Sequence, residues 1–260
     1  MSKFWNFKKG ENNAELYLYG DISESTWFGD EVTPKDFKAD LDELGDVAQL
    51  DIYINSGGGD VFAGESIYNM ISRHKAHKTV HIDGLAASIA SIIAMAGDEI
   101  VMPENAMIMI HEAWTFAGGN KHELRNMADT LERIDASLCG IYVSRTGRDS
   151  DEIARMMEAE TWMTAKEAAE LGFADRVLDN KKIAASITGK QLVMNGQQFD
   201  MARYAHAPEI TPCNGAETQP VEDIQPGIPG ESTNIALNEQ REKFNATREK
   251  IINIYEKENA

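Results

Sequence analysis

Residues 83–97 read DGLAASIASIIAMAG. An Asp-Gly turn opens a run of small and aliphatic residues that holds two hydroxyls, Ser88 and Ser91. The run between Asp83 and Asp98 falls short of the roughly 20 apolar residues that cross a bilayer, so it reads as a buried helix. The segment before it, TVHID (79–83), reads as a strand. Ser88 therefore sits at a strand-to-helix corner, and Ala86, Ala87 and Ala90 permit that corner to be sharp. The same steric logic places small residues around an exposed nucleophilic serine. In that reading Ser88 is a nucleophile and the amide of Ile89 faces an oxyanion. The same residues also fit a packing serine in an alanine-rich helix, and Ser91, one turn further in, fits that description better.

Working outward, strands alternate with helices. ELYLYG (15–20), QLDIYIN (49–55), EIVM (99–102) and AMIMI (106–110) read as strands from their apolar, β-branched content. A helix is expected after Thr33, with Thr33 as N-cap, Pro34 at the first position, Phe37, Leu41 and Leu44 on one face, and Gly45 as the stop. A second helix covers about 61–74 and buries Ile67, Met70 and Ile71. The opening stretch is a third, and a fourth starts at Asn120 with Glu123 in capping-box position. Its apolar stripe runs through Leu124, Met127, Leu131, Ile134, Leu138 and Ile141. Only its first turns are expected to rest on the sheet, leaving Ile134, Leu138 and Ile141 for another subunit to cover. A short helix follows Thr164, with Glu167 as box partner and Gly172 as C′ stop. The class is α/β with a mixed or parallel sheet.

The chain of 260 residues carries 43 acidic against 25 basic residues, a net charge of −18. That balance argues against nucleic-acid and anionic-membrane surfaces. Cys139 and Cys213 show no pairing pattern, which fits a reducing cytoplasm. The first residues, MSKFWNFKKGENNAELYLYG, contain no apolar secretory core. The composition then divides the chain. A globular domain is expected over 1–180, an extension of ambiguous structure over 181–207, a Pro-rich flexible linker over 208–233, and an amphipathic helix over 234–260 from the recurrence of Leu237, Phe244 and Ile251.

Three further stretches carry candidate chemistry. INSGGGDVFAG (54–64) places three glycines between a strand and a helix, a turn that presents backbone amides or a plain tight connection. No Lys-Ser/Thr follows, as a phosphate loop requires. AMIMIHEAW (106–114) ends a strand at His111, where a side chain can leave the core and serve as a base. MEAETWMTAKEAAELGFAD (157–175) offers Glu158 or Glu160 as an acid that orients a histidine. His81 lies on a strand, His206 falls in the tail, and no histidine pair has metal-ligand spacing. No cofactor or metal is expected.

Together these stretches resemble the Clp protease proteolytic subunit family in its phage-encoded branch. That family has an Asn-Ser-Pro-Gly-Gly loop, matched by Asn55-Ser56-Gly57-Gly58-Gly59. Its Gly-x-Ala-Ala-Ser turn is matched by Gly84 to Ser88, and its Met-Ile-His strand end by Met109-Ile110-His111. A Gly-Gly pair before a long oligomerising helix is matched by Gly118-Gly119, and an acid two residues before an aromatic by Glu160 and Trp162. The resemblance covers about 15–178. It implies a crotonase-like (ClpP-type) superhelix of β-β-α units with a long handle helix from Asn120. It implies Ser88 as nucleophile, His111 as general base, Glu160 as orienting acid, and the Gly59 and Ile89 amides as oxyanion hole. This chain departs from the pattern twice: Gly57 replaces the loop proline, and Glu160 stands where Asp is usual.

The implied activity is that of a serine endopeptidase. KFWNF, WFGDEVTPKDF and NGQQFDMARYAHAPEI resemble phage relatives that act in head maturation, with scaffold or capsid proteins as polypeptide substrates. The implied assembly is a homo-oligomer of two stacked rings in the host cytoplasm. Alternatives are a proteolytic subunit fed by a host unfoldase, an inactive shell component that organises assembly, and an acyl-CoA hydratase or isomerase on the same fold. The last is disfavoured by Ser88 and His111 at the family spacing.

Overall fold

The computed structural model describes residues 4–23, 34–179, 185–188, 191–194 and 197–208. The Thr33 cap, the linker beyond Pro208 and the C-terminal amphipathic helix lie outside the described residues. The elements run β1 (Trp5–Lys9), β2 (Asn13–Tyr19), α1 (Pro34–Glu43), β3 (Gln49–Ser56), α2 (Val61–Ser72), β4 (His77–Ala87) and α3 (Ile89–Ala94). There follow β5 (Glu99–Pro103), β6 (Met107–Ile110), α4 (Lys121–Thr146), α5 (Ser150–Glu158), β7 (Thr161–Thr164), α6 (Ala165–Leu171) and β8 (Arg176–Leu178). Three short strands close the described chain, β9 (Ala185–Thr188), β10 (Gln191–Met194) and β11 (Gln197–Asp200), followed by one 3-10 turn, Met201–Arg203. Among the described residues no helix is long and apolar enough to cross a membrane.

The fold is mixed α/β, the class expected from sequence. The main sheet has the order β1-β2-β3-β4-β5-β8, parallel except for the β1–β2 hairpin. Strand β4 is long enough to have two neighbours on one side. Its first half pairs with β5 at Thr79 to His81, and its second half pairs with β6 at Leu85 to Ala87. That split turns β6 out of the main layer, where it pairs antiparallel with β7. The alternation of β2 and β3 puts Leu16, Leu18, Leu50, Ile52 and Ile54 into the core. On the opposite face of the sheet, Tyr17 of β2, Tyr53 of β3 and His81 of β4 form a stack.

The local signals read from sequence mostly set the helices. Asn120 and Glu123 form the capping box of α4, and Thr164 and Glu167 that of α6, with Gly172 left-handed at φ 86°. The opening stretch differs from expectation in its extent. Residues to Ala87 complete β4, and only Ile89–Ala94 are helical. Ser91 is buried: its hydroxyl donates to the Ser88 carbonyl at 2.6 Å and meets the Tyr142 hydroxyl at 2.7 Å, so it packs rather than reacts.

The handle helix corrects the sequence reading. The end that lies free is the first one, not the last. Residues 121–130 are all exposed, with Leu124 at 45% and Met127 at 37%, whereas Leu138 and Tyr142 are buried and Ile134 and Ile141 pack on the core. The cause is the route of the chain. The second half of α4 must meet α3 and turn into α5, and the Ser91–Tyr142 contact fixes it there. The first half projects away.

The 181–207 extension, ambiguous from sequence, contains an antiparallel sheet in the order β11-β10-β9. Leu192, Phe199, Met201 and Tyr204 form a second small core with Leu85, Ala87 and Met109 of β4 and β6. These are the strands that lead into Ser88 and His111.

Candidate active site

Strand β3 ends in the buried pair Asn55 and Ser56. The Asn55 side-chain oxygen accepts the Leu85 amide at 3.1 Å, fixing the loop after β3 against β4. The Ser56 hydroxyl donates to the Gly20 carbonyl at 2.6 Å and accepts the Gly58 amide at 3.1 Å. The loop is then strapped by Ile22, whose amide donates to Gly58 and whose carbonyl accepts the Asp60 amide. Gly58 and Gly59 take φ values of 91° and 152°, a region closed to most side chains. A Cβ on Gly59 would fall 1.9 Å from the Ile22 carbonyl oxygen, and one on Gly58 would fall 2.7 Å from Ser88 Cβ. The bare backbone of this loop therefore lies directly against Ser88.

Ser88 holds φ 55° and ψ −132°, a strained conformation for a residue with a side chain. Its amide donates to the Met109 carbonyl at 3.0 Å, which holds the corner beside β6. His111 leaves the end of β6, and its Nε2 lies 2.8 Å from Ser88 Oγ. With the proton on Nδ1, Nε2 is placed to accept from the serine hydroxyl. Burial lowers the His111 pKa from its ordinary value; the nearby Glu160 charge opposes that shift and Arg203 adds to it. The ring is thus neutral at pH 7, as a base must be. The Ile89 amide opens α3 without an intrahelical acceptor. Neither it nor the Gly59 amide donates to another described residue.

Of the two candidate acids, Glu158 is exposed and Glu160 is buried. Among the described residues Glu160 is the other non-glycine residue of positive φ, at 50°. Its carboxylate does not bond His111. One oxygen accepts the Ala205 amide at 2.8 Å, the other accepts the His206 amide at 2.7 Å, and Trp162 Nε1 donates to the latter at 3.2 Å. The expected orienting contact is absent because the extension holds both oxygens. The influence of Glu160 on His111 is through space.

His206, read from sequence as tail, is thus bound beside the site by its backbone. Two further residues escaped the sequence reading, Arg203 and Tyr204. The buried Tyr204 hydroxyl donates to the Gly57 carbonyl at 2.7 Å, and its ring meets Trp162 edge-on at 5.1 Å and His111 at 6.3 Å. The position of Gly57 explains why no side chain stands there. A Cβ would come 3.0 Å from the Tyr204 hydroxyl and 3.5 Å from Arg203 Nη1. Both departures from the family pattern, Gly57 and Glu160, are contacts of the extension. Ser88 and His111 open on a cleft of about 230 Å³ that Val61, Trp114, Arg203 and Tyr204 also line.

A family model described as Clp protease matches residues 39–181. The ATP-dependent Clp protease proteolytic subunit of Deinococcus radiodurans is 32% identical over 145 residues, which cover 55% of this chain and 71% of that protein. The matched stretch of the family model includes Gly57, Ser88, His111 and Glu160, and it ends before β9.

Proposed function

The chain belongs to the Clp protease family, and on that premise we propose that it is a serine endopeptidase with Ser88 as nucleophile and His111 as general base. The observation that carries this reading is the 2.8 Å contact between Ser88 Oγ and His111 Nε2 at a strained corner. His111 takes the hydroxyl proton as Ser88 Oγ attacks the scissile carbonyl carbon. The amides of Gly59 and Ile89 donate to the resulting oxyanion. The imidazolium then protonates the leaving amine, the C–N bond breaks, and water activated by the same histidine releases the acyl group. Glu160 supplies the negative charge that stabilises the imidazolium across space, in place of the direct bond an orienting acid makes.

The substrate is a polypeptide, and the finer reading is phage scaffold or capsid protein during head maturation, supported by the segments around residues 4, 27 and 195 quoted above. A second reading, a proteolytic subunit fed by an unfoldase, is favoured by the name of the Deinococcus relative, an ATP-dependent proteolytic subunit. The working form is a homo-oligomeric ring, two rings stacked through α4, whose exposed Leu124 and Met127 need a cover. The domain division at about 180 marks the end of the peptidase fold, with 181–207 added to it.

Hydrolysis of casein and of fluorogenic peptides tests the activity. The native chain cleaves both, and Ser88→Ala cleaves neither while keeping its melting temperature. Cleavage of unfolded casein without ATP or a partner, together with trimming of a co-expressed scaffold protein, favours the head-maturation reading. Turnover that requires an added unfoldase favours the second.

A further inference from the structure

The extension does more than flank the site: it carries a cation into the cleft. Arg203 lines the same cavity as Ser88 and His111. Its guanidinium is fixed in place. Nη1 donates to Asp21 Oδ1 at 2.9 Å, and the group lies 5.7 Å from the Tyr204 ring centre. Tyr204 is bonded to the Gly57 carbonyl, and the next two residues are bonded through their amides to Glu160. The segment bearing Arg203 is therefore held at three points, on the loop after β3, on the approach to β7 and at Asp21. A side chain restrained in this way loses little further freedom on binding, which is the condition for a selective contact.

The remaining guanidinium donors meet no other described acceptor. Asp21 engages one nitrogen and is itself largely exposed, at 75%. Glu160 keeps its negative charge, but both its oxygens accept from amides and it makes no ion pair with Arg203. Among the residues that line the cavity, Arg203 is the one with a permanent positive charge. A guanidinium presents paired N–H groups in a plane that matches a carboxylate, and such charge-assisted bonds are about twice as strong as neutral ones.

We propose that Arg203 makes this cleft selective for polypeptides with an aspartate or glutamate side chain beside the bond presented to Ser88. The proposal rests on the serine-peptidase reading above and names the substrate class of that site. It also gives the extension a role: the peptidase fold supplies the reacting groups, and residues beyond it supply the selectivity.

The test uses the full chain and a matched peptide set in which each position flanking the scissile bond is Asp, Asn or Lys in turn. The native protein is expected to favour Asp over Asn at one flanking position by roughly tenfold or more in kcat/KM. Arg203→Gln removes that preference, Arg203→Glu turns it toward Lys, and Arg203→Lys restores part of it. Equal cleavage of the Asp and Asn peptides by the native protein overturns the proposal, as does an acidic preference that survives in Arg203→Gln. A small fluorophosphonate separates the two levels of failure. Labelled Ser88 without acidic preference overturns the selectivity alone, whereas an unlabelled native chain that cleaves no peptide overturns the peptidase reading and this proposal with it.

Discussion

The Tyr204 hydroxyl donates to the Gly57 carbonyl at 2.7 Å, a bond that joins the C-terminal extension to the loop beside Ser88 across 147 residues. It forms because Gly57 has no Cβ to occupy the space. Both partners are buried, so losing the donor leaves a carbonyl that water does not reach.

Tyr204→Phe therefore costs about 1–3 kcal/mol, the range for leaving a buried polar group unpaired. A fall in Tm of roughly 2–12 °C by calorimetry is the expected result. Peptidase turnover falls in parallel because the loop that holds Gly59 loses a tether. A Tm and rate equal to native would mean the extension is not docked on the loop in solution.

Gly59→Ala is a sharper perturbation of the same loop. Its Cβ would fall 1.9 Å from the Ile22 carbonyl oxygen, so the loop backbone must move. The Gly59 amide then leaves its line to the oxyanion, and kcat drops by roughly 10²-fold or more. Steady-state kinetics on a fluorogenic peptide reads this directly, and an unchanged kcat would place the oxyanion donor elsewhere.

The pH profile follows from three causes at His111. Burial lowers its pKa from the ordinary 6.5, Glu160 raises it and Arg203 lowers it. The neutral imidazole is the active form, so kcat/KM rises with pH through a midpoint below 6.5. Glu160→Gln removes a charge that favours the imidazolium, and the midpoint moves to lower pH with a reduced plateau. Arg203→Gln removes a charge that opposes it, and the midpoint moves up. Shifts in the opposite senses would break the through-space account of Glu160.

The helices and most strands of the peptidase fold were legible because their signals are local. A capping box at Asn120 and Glu123 lies within one turn, and the alternation in QLDIYIN needs no partner to be read. The pair Ser88 and His111 was legible because each ends an apolar strand whose neighbours are small or apolar. What escaped was decided by partners far away in sequence. The strands of the extension are four residues each, and Leu192 of β10 and Phe199 of β11 pack on β4 and β6. The family resemblance implies Glu160 as the acid that orients His111, but the amides that bind its carboxylate lie 45 and 46 residues on. The apolar stripe of α4 was seen, but which end it buries depends on Tyr142 reaching Ser91, a contact across 51 residues.

That reversal moves the assembly prediction to the first turns of α4. If the proposed ring assembles through this face, Met127→Glu or Leu124→Glu sets a charge in the interface, at a cost of several kcal/mol per unpaired charge buried. Sedimentation velocity then shows smaller species than the native ring. Native and variant chains that sediment alike as monomers would remove the ring from the account.

The central claim is that Ser88 is a nucleophile activated by His111. The direct measurement is intact-protein and peptide mass spectrometry of the full chain after exposure to a fluorophosphonate. The account predicts a single adduct on Ser88, formed faster as pH rises through the His111 midpoint and lost in both Ser88→Ala and His111→Ala. An adduct on Ser91 or on no serine, or labelling of Ser88 that is indifferent to the loss of His111, would contradict it.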